Sequence, residues 1–101
     1  SMKNKIPRGS KPVLRLFVAG KTEKCMTALK NMEFICNELL KGLYKLEVID
    51  ILKDPELARQ NQILAIPTLI RNLPLPKINI IGDLSNRELM ITELNYNVKS
   101  G

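Results

Sequence analysis

An α/β fold, with a mixed sheet and the element order βαβαββα, is what this sequence predicts. Three observations carry that expectation. The run VLRLFVAG (Val13 to Gly20) is apolar almost throughout, as suits a central strand buried on both faces. A segment at helical spacing separates it from the alternating run LYKLEVIDI (Leu43 to Ile51), which gives strand, helix, strand and favours a parallel pair. Near the other end, Ser85-Asn-Arg-Glu88 has the form of a capping box that opens a last helix.

The elements follow in order. The first helix is expected from about Glu23 to Lys41, with a stripe of Met26, Leu29, Met32 or Phe34, Cys36 and Leu40. Gly42 suits the position just past its end. In the second strand Tyr44, Leu46, Val48 and Asp50 fall on one side and Lys45, Glu47, Ile49 and Ile51 on the other. Asp54-Pro55-Glu56 starts a short helix to about Gln62, with Asp as cap and Pro in the first turn. Pro67 to Ile70 reads as a third strand and Lys77 to Ile81 as a fourth, joined through Leu73-Pro-Leu-Pro76. Residues 1–11 are expected to be a disordered basic tail, and 12–101 a single domain.

With two Phe, two Tyr and no Trp in 101 residues, the core must be aliphatic. The net charge of +6 invites a nucleic-acid reading. Yet Lys3, Lys5, Arg8 and Lys11 lie in a tail without acidic residues, leaving 12 basic against 10 acidic residues from Pro12 onward. Neither base-stacking aromatic strands nor zinc-finger spacing is present, so no nucleic-acid partner is expected. No apolar run approaches the roughly 18 residues of a membrane span. The basic start SMKNKIPRGSK is followed by no apolar stretch, so a cytoplasmic protein without a leader is expected.

There is no histidine, which removes a Cys/His zinc site, a Cys–His nucleophile pair and a Ser–His–Asp triad. No cofactor or metal is expected. On one helix Cys25 and Cys36 would be separated by a rise of about 16 Å, beyond disulfide reach.

The stretch AIPTLI (Ala65 to Ile70) sets a proline at the head of a strand, where its missing N–H is tolerable. With the element order, it resembles the thioredoxin fold, in which an Ile-Pro-Thr at this place carries a cis proline. Against that pattern FVAGKTEKC puts Thr22 where the attacking cysteine belongs and Cys25 at the resolving position. Threonine offers no anion near neutral pH, so disulfide reductase chemistry is not expected.

From Pro12 to about Tyr96 the resemblance becomes more specific. VLRLFVAG, ALKNM, GLYKLEVIDILKDPELA, ILAIPTL, LPLPK and above all IIGDLSNRE resemble the KaiB family of circadian-clock proteins. Similar segments open the sensor domain of the clock kinase SasA, but the sequence ends at Gly101, so a standalone KaiB-type chain is expected. The resemblance implies a non-enzymatic regulator that binds a KaiC-like hexameric ATPase, modulates its phosphorylation and ATPase cycle, and competes with a SasA-type kinase. It also implies a homodimer or homotetramer at rest, and an alternative ground-state order βαββααβ that interconverts with the thioredoxin-like one. Candidate partner-binding residues are Arg15, Lys30, Lys45, Leu46 and Glu47. Candidates for the fold switch or for cis prolines are Pro67, Pro74, Pro76, Glu93 and Asn95.

The last segment reads both ways. Met90, Thr92, Leu94, Tyr96 and Val98 alternate as in an edge strand, while Met90, Ile91, Leu94 and Val98 form a helical stripe. The capping box tips the balance to helix. Several positions depart from the family pattern: Glu93 and Asn95 stand for a Gly-x-Asp, Ile78-Asn79 for a basic pair, Glu47 for a basic residue, and an acidic C-terminal tail is missing. Surface charges set partner choice, so a divergent member in a non-cyanobacterial host is expected, paired with KaiC and with KaiA left open. A single-thiol redox role for Cys25 is the alternative function.

Overall fold

The computed structural model describes residues 9–96. Its elements are β1 (Val13–Val18), α1 (Glu23–Phe34) continued by a π-helical turn (Ile35–Leu39), β2 (Lys45–Asp50), α2 (Pro55–Gln60), β3 (Thr68–Arg71), β4 (Ile78–Ile81) and α3 (Arg87–Leu94). The order is βαβαββα; the alternative βαββααβ is not the arrangement of this structure.

Four strands form one sheet in the order β2-β1-β3-β4. β1 runs parallel to β2 and antiparallel to β3, and β4 is antiparallel to β3. β1 is therefore interior, as its apolar run requires. The pleat sends Leu14, Leu16 and Val18 into the main core with Leu69 and Ile78, against Cys25, Ala28, Met32, Met90 and Leu94 of α1 and α3. The alternate residues of β1 share the opposite face, where Arg15 pairs in register with Glu47 and Ile70, and Phe17 with Ile49 and Thr68.

Several boundaries differ from the sequence expectation for identifiable reasons. The buried stripe of α1 is Cys25, Ala28, Met32 and Ile35, while Met26, Leu29 and Cys36 are half-buried and Phe34 is exposed. Thr22 is the N-cap, and its hydroxyl accepts from the Cys25 N–H at 3.3 Å. The expected continuation to Lys41 is interrupted, because the Leu40 N–H bonds to the Ile35 carbonyl at 2.8 Å, an i to i+5 step. The extra residue in that turn leaves Leu40 buried in the same core cluster as Ile35. Gly42 then takes a left-handed turn (φ +71°).

α2 opens as expected, on Asp54, whose side chain accepts from the Leu57 N–H, and stops at Gln60. Gln62, expected to be helical, has φ +55° instead. β3 begins at Thr68 rather than Pro67 and extends to Arg71, buried throughout. α3 is capped by Asn86, not by Ser85: the Asn86 side chain accepts from the Leu89 N–H at 3.0 Å. Ser85 is held back by a turn in which its N–H donates to Asp83 Oδ1 at 3.1 Å. Met90 and Leu94 bury and Ile91 half-buries, the helical reading of that segment; Val98 lies outside the described residues. The bonds preceding Pro67, Pro74 and Pro76 are all cis.

Pro12 is buried, and its carbonyl accepts from the Lys45 N–H at 3.0 Å, so the folded body has begun by this residue. Of the expected tail, residues 1–8 lie outside the described range. Among the described residues no helix is long and apolar enough to cross a membrane.

Candidate partner-binding site

Three of the five candidate residues come together. Arg15 on β1 and Glu47 on β2 are register partners, and Arg15 Nε lies 3.3 Å from Glu47 Oε1. Lys45 Nζ lies 3.8 Å from the other oxygen of Glu47. A lone carboxylate thus sits between two cations on the sheet face away from α1 and α3. These side chains are 35%, 36% and 67% exposed, where such pairs stabilise by about 0–1 kcal/mol. What the cluster supplies is a charge layout that a partner can read.

Leu46 and Lys30 are not part of it. The pleat turns Leu46 to the opposite face, half-buried against the core. Lys30 is exposed on α1, which covers that same core face. Glu93 is exposed within α3, and Asn95 is its C-cap.

The N-terminus of α1 carries a helix cap and a buried thiol. Thr22 is an N-cap, its hydroxyl engaged by the Cys25 amide, and Cys25 is only 2% exposed. Cys36 is half-buried, and burial pushes its thiol up, away from the thiolate form. Both cysteines are free. Among the described residues no group of three or more Asp, Glu or Cys is placed to hold a metal ion.

Around this position polar groups serve the loops. Asp50, at the end of β2, accepts from the Gly20 N–H at 3.1 Å and the Leu52 N–H at 3.0 Å, which holds its carboxyl below the usual aspartate range. Asp83 is lowered likewise by Ser85. Asn31 of α1 donates to the Asp83 carbonyl at 2.8 Å, and Arg87 of α3 stacks over the Phe34 ring at 4.1 Å.

A polar group that sequence reasoning missed lies inside the fold. Arg71 is 3% exposed; its Nη1 donates to Tyr44 Oη at 2.8 Å and its Nη2 to the Pro76 carbonyl at 3.0 Å. Tyr44 Oη in turn donates to the carbonyl of Leu94. The sequence signal was an arginine directly after a short, mostly apolar strand segment, Pro67 to Ile70.

A model of the KaiB domain matches residues 15–95. The chain belongs to the KaiB family. Circadian clock oscillator protein KaiB from Thermostichus vulcanus is 51% identical over 83 residues, covering 82% of this chain and 77% of the relative. Its counterpart from Synechococcus elongatus is 48% identical over the same length, covering 82% and 81%. Among solved structures, the N-terminal domain of Synechococcus elongatus SasA aligns with a TM-score of 0.68 at 17% identity, over 89% of this chain and 86% of that one. The Drosophila melanogaster thioredoxin Deadhead aligns at 0.70 and 16% identity, over 86% and 84%. This KaiB-family chain therefore has the thioredoxin-like fold.

Proposed function

We propose that this chain is a non-enzymatic clock or stress-related regulator that docks on a KaiC-like hexameric ATPase and modulates its phosphorylation and ATPase cycle. The observation that carries this reading is the KaiB family match over 15–95, with relatives named as circadian clock oscillator proteins. The shape shared with the SasA N-terminal domain supports it further: two modules of one shape can compete for one site on a common ATPase. A SasA-type kinase is then a competitor, while KaiA is an open partner. The resting form is a homodimer or homotetramer in the cytoplasm, and the thioredoxin-like fold is the binding form. The burial of Cys25 disfavours the single-thiol alternative, because a thiol 2% exposed cannot meet a disulfide unless α1 opens.

The test is the mass of the complex formed with a KaiC hexamer and ATP, with and without the SasA N-terminal domain. Stoichiometric binding is expected, reduced by the competing domain and weakened by Lys45→Glu, which turns the basic side of the Glu47 cluster acidic. No complex at concentrations where authentic KaiB binds would sink this reading.

A further inference from the structure

The face of the sheet that carries Arg15 also carries a cleft that nothing in the family match explains. It lies where the start of β1 meets the end of β3 and has a volume of about 230 Å³. Pro12, Val13, Ile70 and Leu73 give it an apolar lining, and Lys11 and Arg15 add positive charge. Among the described residues no acidic side chain lines it. Arg15 is only partly neutralised: its Nε meets Glu47, but its terminal amino groups carry no hydrogen bond among the described residues. Lys11 makes no ion pair among the described residues. In the sequence, the residues before Lys11 include Lys3, Lys5 and Arg8 and no acidic residue.

Size and charge together select the occupant. Sites for drug-sized ligands run from about 300 to 1,000 Å³ and enclose the ligand, so this cleft is small for such a molecule. It is suited to one large apolar side chain entering from a surface. Cations beside an apolar socket favour a segment in which carboxylates flank that side chain, through both steering and contact. We infer that the cleft is a docking socket for an acidic protein segment bearing one exposed aliphatic or aromatic anchor. Its physiological partner depends on the docking-module reading above, but occupancy of the socket does not.

The experiment uses the full chain, labelled with ¹⁵N, and a short fluorescent peptide of aspartates and glutamates around a central leucine. Binding should move the amide signals of residues 10–15 and 70–73. Replacing the peptide's leucine by serine, or Lys11 by glutamate in the protein, should each weaken it about fivefold or more, as for an anchor contact. Leu73→Ser gives an independent variant, and unchanged amide signals away from the cleft show that each variant is folded. Equal binding of the leucine-free peptide would overturn the socket, since charge alone would then account for the contact. Shifts centred elsewhere, or tighter binding of a single-stranded oligonucleotide at the same amides, would also overturn it. If the peptide fails while a KaiC hexamer still binds, the socket is lost and the regulator reading stands.

Discussion

Arg71 poses the sharpest energetic question at the scale of single residues. A guanidinium buried without a carboxylate partner costs several kcal/mol unless dipoles replace the solvent. Here the Pro76 carbonyl accepts from it directly, and Tyr44 relays it to the Leu94 carbonyl at the C-terminus of α3. That end of a helix carries partial negative charge, so a cation connected to it is stabilised. Burial raises the Tyr44 phenol more than Arg71 lowers it, which keeps the hydroxyl protonated and able to donate to Leu94. Tyr44→Phe would keep the ring and its edge-on contact with Tyr96, at 5.6 Å between centroids. It would strip one partner each from Arg71 and Leu94, and a cost of about 1–3 kcal/mol in urea unfolding is expected. A loss under about 0.5 kcal/mol would show that water takes over the relay. None of this was legible in the sequence, because periodicity places apolar residues and says nothing of where a strand-end arginine turns.

Elements were legible in kind and order, and imprecise at their ends. Leu14, Leu16 and Val18 alternate inward as a period of two demands, and Met90 and Leu94 follow the helical period. The stripe expected for α1 was right at Met32 and Leu40, which bury, and at Leu29 and Cys36, which pack against the core, but it omitted Cys25, Ala28 and Ile35; the π-helical turn at Ile35–Leu39 has no sequence signature. At α3 two adjacent residues could each serve as cap, and the Ser-x-x-Glu pattern picked the wrong one. Ser85 is occupied with Asp83, which leaves Asn86 to take the Leu89 N–H. Asn86→Ala should therefore destabilise the chain by about 0.5–2 kcal/mol, measured by thermal or urea unfolding. Ser85→Ala should cost less, since it removes only a side-chain contact to the half-buried Asp83 and leaves the helix cap in place. The reverse ranking would restore Ser85 as the cap. The charged cluster was half legible for a related reason: Arg15, Lys45 and Glu47 meet because register aligns them, while the pleat parts Leu46 from them.

For the whole molecule, α3 is the element on which two arrangements of the same chain would differ. It is docked by Met90 and Leu94, both buried, and by the Tyr44 hydrogen bond to its last carbonyl. Tyr44 immediately precedes β2, and the two element orders that the resemblance implies both begin βαβ, so on that reading the bond ties the variable end to the constant half. Glu93 faces solvent in the middle of this commitment. Glu93→Gly removes no packed side chain, yet glycine disfavours a helix interior by about 1 kcal/mol or slightly less. If a second arrangement competes within a few kcal/mol, that bias alone shifts their ratio about fivefold, since 1.4 kcal/mol is a factor of ten. We therefore expect Glu93→Gly to lower the thioredoxin-like fraction, raise the tetramer fraction and slow association with a KaiC hexamer. The Arg15–Glu47 cluster and the cleft at Lys11 stay untouched, so a binding defect would report population rather than lost contacts. Amide spectra of both proteins with sizing at matched concentration would decide it. Simple destabilisation, with one set of folded signals and an unchanged mass, would remove position 93 from any switch.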